Sequence, residues 1–207
     1  MRGTIDQFNF RQLSHNYLLL VDDERSLMVA KQTSFPHEEG DNAILLYGYI
    51  DSQCGLSFEM LAFANVPANG PVQLRESSKD TAMKFRYDSI QGTIINVAYN
   101  PAMEPYQWRV DSINAGYKCN ECAEKFREVV AIDKSRHPQF PDDIVVFFLK
   151  EGYKPEGIWC RICGERNGHI CGRMMNKPYG NFGVTNGDTV EIELVDVEGE
   201  MKAAALI

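Results

Sequence analysis

Long apolar runs are missing from this sequence of 207 residues. The longest, Ala43 to Ile50 and Ile144 to Leu149, have the length of a strand and fall far short of the roughly 20 residues that cross a bilayer. The first residues, Met1 to Asp6, lack the apolar segment of a secretory signal peptide. We therefore expect a soluble, cytoplasmic or otherwise intracellular protein with no membrane partner, whose six cysteines stay reduced.

Positive charge is also in short supply. The chain has 21 lysines and arginines against 29 aspartates and glutamates, which gives a formal net charge of −8. Proteins that bind duplex DNA by neutralising its phosphates usually carry a basic face. The balance argues against a dedicated nucleic-acid-binding protein, although it leaves room for a local basic patch.

The common catalytic motifs are absent as well. The sequence has no phosphate-binding glycine loop, dinucleotide-binding fingerprint, nucleophile elbow or H-E-x-x-H motif. The four histidines lie far apart, and His37-Glu38-Glu39 resembles the start of a deaminase motif by chance, because neither cysteine pair follows a proline. Catalysis is therefore not favoured, and a metal-dependent nuclease that uses His169 is retained as the third possibility.

What the sequence does contain is two cysteine pairs with C-x-x-C spacing. They are Cys119 with Cys122 and Cys160 with Cys163, and about 37 residues separate them. Two such pairs, each on a tight turn near a strand end, predict one structural zinc ion bound by four thiolates. This arrangement over residues 118–163 resembles the zinc-ribbon and treble-clef architectures.

The identity of the ion and the roles of the other cysteines stay open. Four thiolates also bind iron or an iron–sulfur cluster, but paired C-x-x-C turns with a long insert are commonest for zinc. Cys171 is interpreted as a spare thiol or as a fifth or substitute ligand. Cys54, alone in a predicted hairpin turn, is interpreted as a spare thiol.

The remaining pattern predicts a mainly β protein with few short helices. We expect an antiparallel sandwich or barrel over residues 1–115, a four-cysteine metal-binding module over 116–183 and a C-terminal hairpin over 184–207 that packs back on the body. Tyr17–Val21 and Ser26–Ala30 are predicted to form a hairpin, and Tyr106–Val110 a strand. Ala123–Val130 fits a short helix slightly better than a strand.

These features favour a non-catalytic zinc-binding protein that acts as an interaction, scaffold or regulatory component of a larger assembly, with a protein partner. The alternative is binding of RNA or single-stranded DNA by the glycine- and arginine-rich segment after the second cysteine pair, where aromatic residues follow the cations. The candidate contacts in that segment are Arg161, Arg166, His169, Arg173 and Lys177.

Overall fold

The computed structural model describes residues 1–119 and 121–207, so Asn120, inside the first cysteine pair, lies outside the described residues. The chain forms two compact units, Met1–Lys118 and Cys119–Ile207. Both units consist mainly of strands with a few short helices, which confirms the predicted mainly β class. No helix in the described ranges is both long and apolar enough to cross a membrane.

The first unit is built around one antiparallel sheet. Its strands and helices are β1 (Arg2–Gly3), α1 (Phe10–Leu13), β2 (Tyr17–Val21), α2 (Glu24–Ala30), β3 (Ala43–Asp51), β4 (Gly55–Asn65), β5 (Gln73–Leu74), β6 (Lys84–Arg86), β7 (Thr93–Val97) and α3 (Gln107–Gly116). Short 3-10 helices cover Ile5–Gln7, Tyr87–Ser89 and Pro101–Tyr106. The described strands are ordered β1-β7-β2-β3-β4-β5, and β6 pairs with another part of β4.

Both faces of this sheet are covered. On one face, Leu46 and Phe58 pack with Phe10 and Leu13 of the N-terminal segment. On the other face, a second cluster contains apolar residues of α3. Strands buried on both faces read as continuous apolar runs, which is why β3 and β4 have so little polar alternation. The sandwich or barrel predicted for residues 1–115 is therefore corrected to a single sheet between two covering layers.

Two predicted strands of this unit are helices. Ser26–Ala30 belongs to α2, because the Asp23 carboxylate accepts a hydrogen bond from the Ser26 N–H and caps the first turn. Tyr106–Val110 runs from a 3-10 helix into α3, and the spacing of Val110 and Ile113 places both side chains in the sheet-facing core. Alternating residues over five positions could not distinguish these structures.

The second unit is a barrel. It contains α4 (Glu121–Arg127), a 3-10 helix (Val130–Ser135), β8 (Asp143–Leu149), β9 (Glu156–Arg166), β10 (His169–Met174), β11 (Thr189–Val197) and β12 (Glu200–Leu206). Within the described residues, consecutive strands pair antiparallel, and the barrel closes by parallel pairing of β12 with β8. An odd number of up-and-down strands brings the first and the last into the same direction.

The barrel replaces the predicted zinc-ribbon or treble-clef module, which the described residues do not show. Its interior is filled by alternate residues of the strands, among them Ile144, Val146, Phe148 and Ile158. The predicted C-terminal hairpin is present as β11 and β12, and both strands belong to the barrel wall. The segment Ala123–Val130 begins as a helix, as slightly favoured from the sequence.

The close approach of α1 to β3 gives a stability prediction. A Cβ atom added at Gly48 would lie 2.0 Å from the Leu13 carbonyl oxygen. We expect Gly48→Ala to lower the free energy of unfolding by about 2–3 kcal/mol, measured by urea denaturation. Gly116→Ala is the matched control, because its Cβ meets no atom within 4 Å and alanine favours the helix. Equal stabilities for the two variants would contradict this packing.

Candidate metal centre

Both cysteines of the second pair lie on strand β9, and their side chains point to opposite sides of the barrel wall. Cys160 is completely buried and lies in the barrel interior with Ile158 and Ile162, whereas Cys163 is exposed. Successive side chains of a strand point to opposite faces, so residues three positions apart point in opposite directions. The prediction that this pair lies on a tight turn is wrong, and the two sulfurs do not face one common point.

Cys171 lies beside Cys163 on the neighbouring strand β10. The register shifts here, because Cys171 pairs with Gly164 whereas the next residue, Gly172, pairs with Ile162. Gly172 faces the interior, since a Cβ atom on it would lie 3.0 Å from the Cys160 Cβ atom. Cys171 therefore points away from the barrel interior, although it is buried with 5% exposure. The Cys163 thiol donates to the Cys171 carbonyl oxygen at 3.4 Å.

The first cysteine pair lies at the start of α4. Cys119 precedes the described helix and Cys122 is inside it. The helix contacts β9, and Phe126 reaches the hydrophobic core of the barrel. The first pair is thus carried by a short element that is fixed to the strand bearing Cys163.

An arginine–aspartate pair reinforces this attachment. Arg127 donates from Nε and Nη2 to the two carboxylate oxygens of Asp142 at 2.7 and 2.6 Å. The Asp142 carbonyl in turn accepts from the Ile162 N–H of β9 at 2.9 Å. The third donor of Arg127, Nη1, lies 3.2 Å from the Cys119 Sγ atom. One buried guanidinium therefore links Cys119 to Asp142 in the loop before β8, and the Asp142 carbonyl links that loop to β9.

The thiols influence one another electrostatically. Burial raises the pKa of Cys122, and Glu165, Cys171 and Cys163 raise it further. Burial also raises the pKa of Cys171, with Cys163 adding to the effect and Arg166 opposing it. Burial and Cys163 raise the pKa of Cys160 to about 12. The pKa of each of Cys122, Cys160 and Cys171 therefore lies above the ordinary value of a thiol.

The predicted ligands Cys119, Cys122, Cys160 and Cys163 are not brought together as a set. Among residues 1–119 and 121–207, no group of three or more His, Cys, Asp or Glu side chains is arranged so that it could hold a metal ion as it stands. The sequence left Cys171 as a spare thiol or as a fifth or substitute ligand, and it did not show the position of this residue beside Cys163. The Asn167-Gly168 turn would have shown it, since this dipeptide joins β9 and β10 with positive φ at both residues.

The predicted contact residues occupy the outside of the same two strands. Arg161 donates to both carboxylate oxygens of Asp143, at 2.6 and 2.7 Å, and lies opposite the exposed Arg173. Arg166 and His169 are exposed on either side of the hairpin turn, and Lys177 is exposed beyond β10. The His169 Nδ1 atom is 3.9 Å from a Glu193 carboxylate oxygen. The nuclease interpretation of His169 stays a prediction.

An exposed tryptophan next to these cations was missed from the sequence. Trp159 retains 37% exposure on the outside of β9, and the His137 ring lies 5.7 Å from it. The Met175 N–H donates to the Trp159 carbonyl at 2.8 Å, and the Met175 side chain is also exposed. Strand alternation could have shown this, because Trp159 has the opposite parity to the buried Ile158 and Cys160.

Thiols are soft ligands that suit zinc and iron, and four of them leave no open position for a reacting water.

No family model matches the chain, and no curated protein or solved structure is significantly similar to it.

The burial of the thiols predicts an order of chemical labelling. In metal-free protein at about pH 8, we expect iodoacetamide to modify the exposed Cys163 first and Cys160 last, because Cys160 is buried and its pKa is raised to about 12. Peptide mass spectrometry after timed quenching measures each rate. Labelling of Cys160 in concentrated guanidinium chloride is the control, and fast modification of Cys160 in the folded protein would contradict its position.

Proposed function

We propose that this protein is a non-catalytic zinc-binding component of a larger assembly, in which it presents its surface to a protein partner. The observation that carries the proposal is the attachment of α4, which contains Cys122 and follows Cys119, to the strand that bears Cys163. A zinc ion bound between helix and barrel would tie the two together. With four thiolate ligands such a site is structural, because no coordination position is left for substrate.

The surroundings of the cysteines support zinc. A tetrathiolate zinc centre carries two negative charges, and positive or N–H groups near the sulfurs stabilise it. Arg127 already donates toward Cys119, and Arg166 acts electrostatically on Cys171. Both cations would remain beside the sulfurs after the thiols lose their protons.

The partner surface is proposed to include the outside of β9. Trp159 and Met175 are neighbours and are both exposed. Tryptophan, methionine and arginine are enriched in protein interfaces, and Arg161 and Arg173 lie on the same pair of strands. This combination suits a partner that offers an apolar patch with acidic residues at its rim.

Metal analysis tests the proposed function directly. We expect about one zinc ion per chain by elemental analysis and no visible absorption, whereas iron would colour the protein.

The two tryptophans allow the units to be followed separately. Trp108→Phe leaves Trp159 to report on the second unit, and Trp159→Phe leaves Trp108 to report on the first.

Removing the zinc with a chelator should lower the thermal midpoint reported by Trp159, because the metal binds the folded state. At a free concentration about one thousand times the Kd, binding contributes about 4 kcal/mol. The midpoint reported by Trp108 should not change, which makes it the internal control. Absence of metal from protein purified without chelator, and from protein refolded with zinc, would overturn the proposal.

A second candidate function has its own observation in its favour. Arg161 and Arg173 face each other across β9 and β10, and Asp143 neutralises the first of them through two hydrogen bonds. An exposed cation beside an exposed tryptophan is a way to hold single-stranded RNA or DNA by phosphate contact and base stacking. The acidic balance of the chain makes this the alternative rather than the main proposal.

Fluorescence of Trp159 decides between the two. If the alternative holds, oligo-dT or oligo-U should quench the Trp108→Phe protein at low salt, and Arg173→Glu should weaken binding at least about tenfold, with the effect fading as salt rises. Lys79→Glu, an equal charge change at an exposed residue of the other unit, is the matched control. No quenching at low salt leaves the protein-partner proposal alone.

A further inference from the structure

We propose that the metal ligands are Cys119, Cys122, Cys163 and Cys171, and that Cys160 is a core residue. This assignment rests on the proposed zinc-binding function and names its site. It replaces one member of the pair that the sequence spacing suggests with a cysteine from the neighbouring strand. The ligands would then come from α4, from Cys119 two positions before its first residue, and from β9 and β10.

The first step is the side of the barrel wall on which each sulfur lies. Cys163 is exposed, whereas Cys171, next to it across the irregular pairing of β9 and β10, is buried but is not part of the barrel core. That pairing is a β-bulge, because one extra residue, Cys163, lies between Gly164 and Ile162, the partners of Cys171 and Gly172. Bulges re-aim side chains, and this one leaves two thiols on one surface.

The second step is the position of α4 over that surface. Cys122 belongs to α4, and this helix packs against β9, the strand that bears Cys163. Cys119 is held nearby through Arg127, whose guanidinium is itself fixed by Asp142. These contacts place one C-x-x-C pair above two outward thiols, which together make four ligands.

The third step is the adjustment that a bound ion requires. The described side chains do not form a ready metal-holding group. A cysteine has one side-chain torsion with three staggered positions, and a change between them moves the sulfur by roughly 3 Å. Thiols that already lie on one surface can converge by such rotations, without any change in strand register.

Cys160 cannot join by the same adjustment. Its side chain is completely buried and belongs to the barrel core. The backbone of β9 stands between its sulfur and the outer surface. Bringing it outward would require a one-residue slip that also expels Ile158 and Ile162 from the interior.

Two substitutions distinguish the ligand sets. We expect Cys171→Ser to weaken zinc binding more than about 100-fold, beyond the roughly 10–100-fold losses caused by outer-shell changes. Cys160→Ala should keep the wild-type zinc content and affinity, and Cys54→Ser is the control for loss of a thiol elsewhere. Titration with Co²⁺ gives a second readout, because the thiolate charge-transfer absorption grows with the number of sulfur ligands.

Each result has a distinct meaning. Zinc in the wild type and in Cys160→Ala, with loss in Cys171→Ser, supports the assignment. Retention in Cys171→Ser, or loss from folded Cys160→Ala, overturns it while the proposed zinc-binding function stands. A wild type that never binds metal overturns that function itself. Circular dichroism checks folding, and near-isosteric Cys160→Ser replaces Cys160→Ala if the alanine variant does not fold.

Discussion

The alternation of side chains along β9 is the constraint on which the second unit depends. It sends Ile158, Cys160 and Ile162 into the barrel and leaves Trp159, Arg161 and Cys163 on the outside. One strand therefore supplies part of the core, one thiol of the proposed centre and the exposed aromatic surface. A slip by one residue would exchange all three roles at once, so the apolar core protects the register of the functional face.

The Arg127–Asp142 pair connects this strand to α4. Both side chains are largely shielded from water, and two short hydrogen bonds join them. A buried ion pair contributes little net stability, but loss of one partner is costly because a charge is left without compensation. The pair is better understood as a positioning device. It fixes where the helix lies on the barrel, and the third donor of the arginine reaches Cys119.

How much the sequence could predict follows from these residues. Apolar runs such as Ile144–Leu149 predicted strands because their burial is visible in composition, and the Glu198-Gly199 turn predicted the last hairpin. The C-x-x-C spacing predicted ligand pairs but not the side of the chain to which each sulfur points, because the same spacing occurs on a turn and on a strand. The position of Cys171 next to Cys163 depends on the pairing of β9 with β10 and on the bulge between them. The closure of the barrel depends on a contact between its first and last strands. Such contacts are not local in sequence.

The composition of the barrel interior limits what a bound metal could do. The core contains large apolar side chains from the strands of the barrel, together with Phe126 from α4 and Ile132 from the following 3-10 helix. This buried surface is enough to hold the strands together without an ion, unlike a small zinc finger, which unfolds when its metal is removed. Zinc bound by the outer thiols would act mainly on the attachment of α4 to the barrel. The metal would therefore stabilise the arrangement of helix, bulge and exposed cations on the outside of β9, which is the surface proposed to meet a partner.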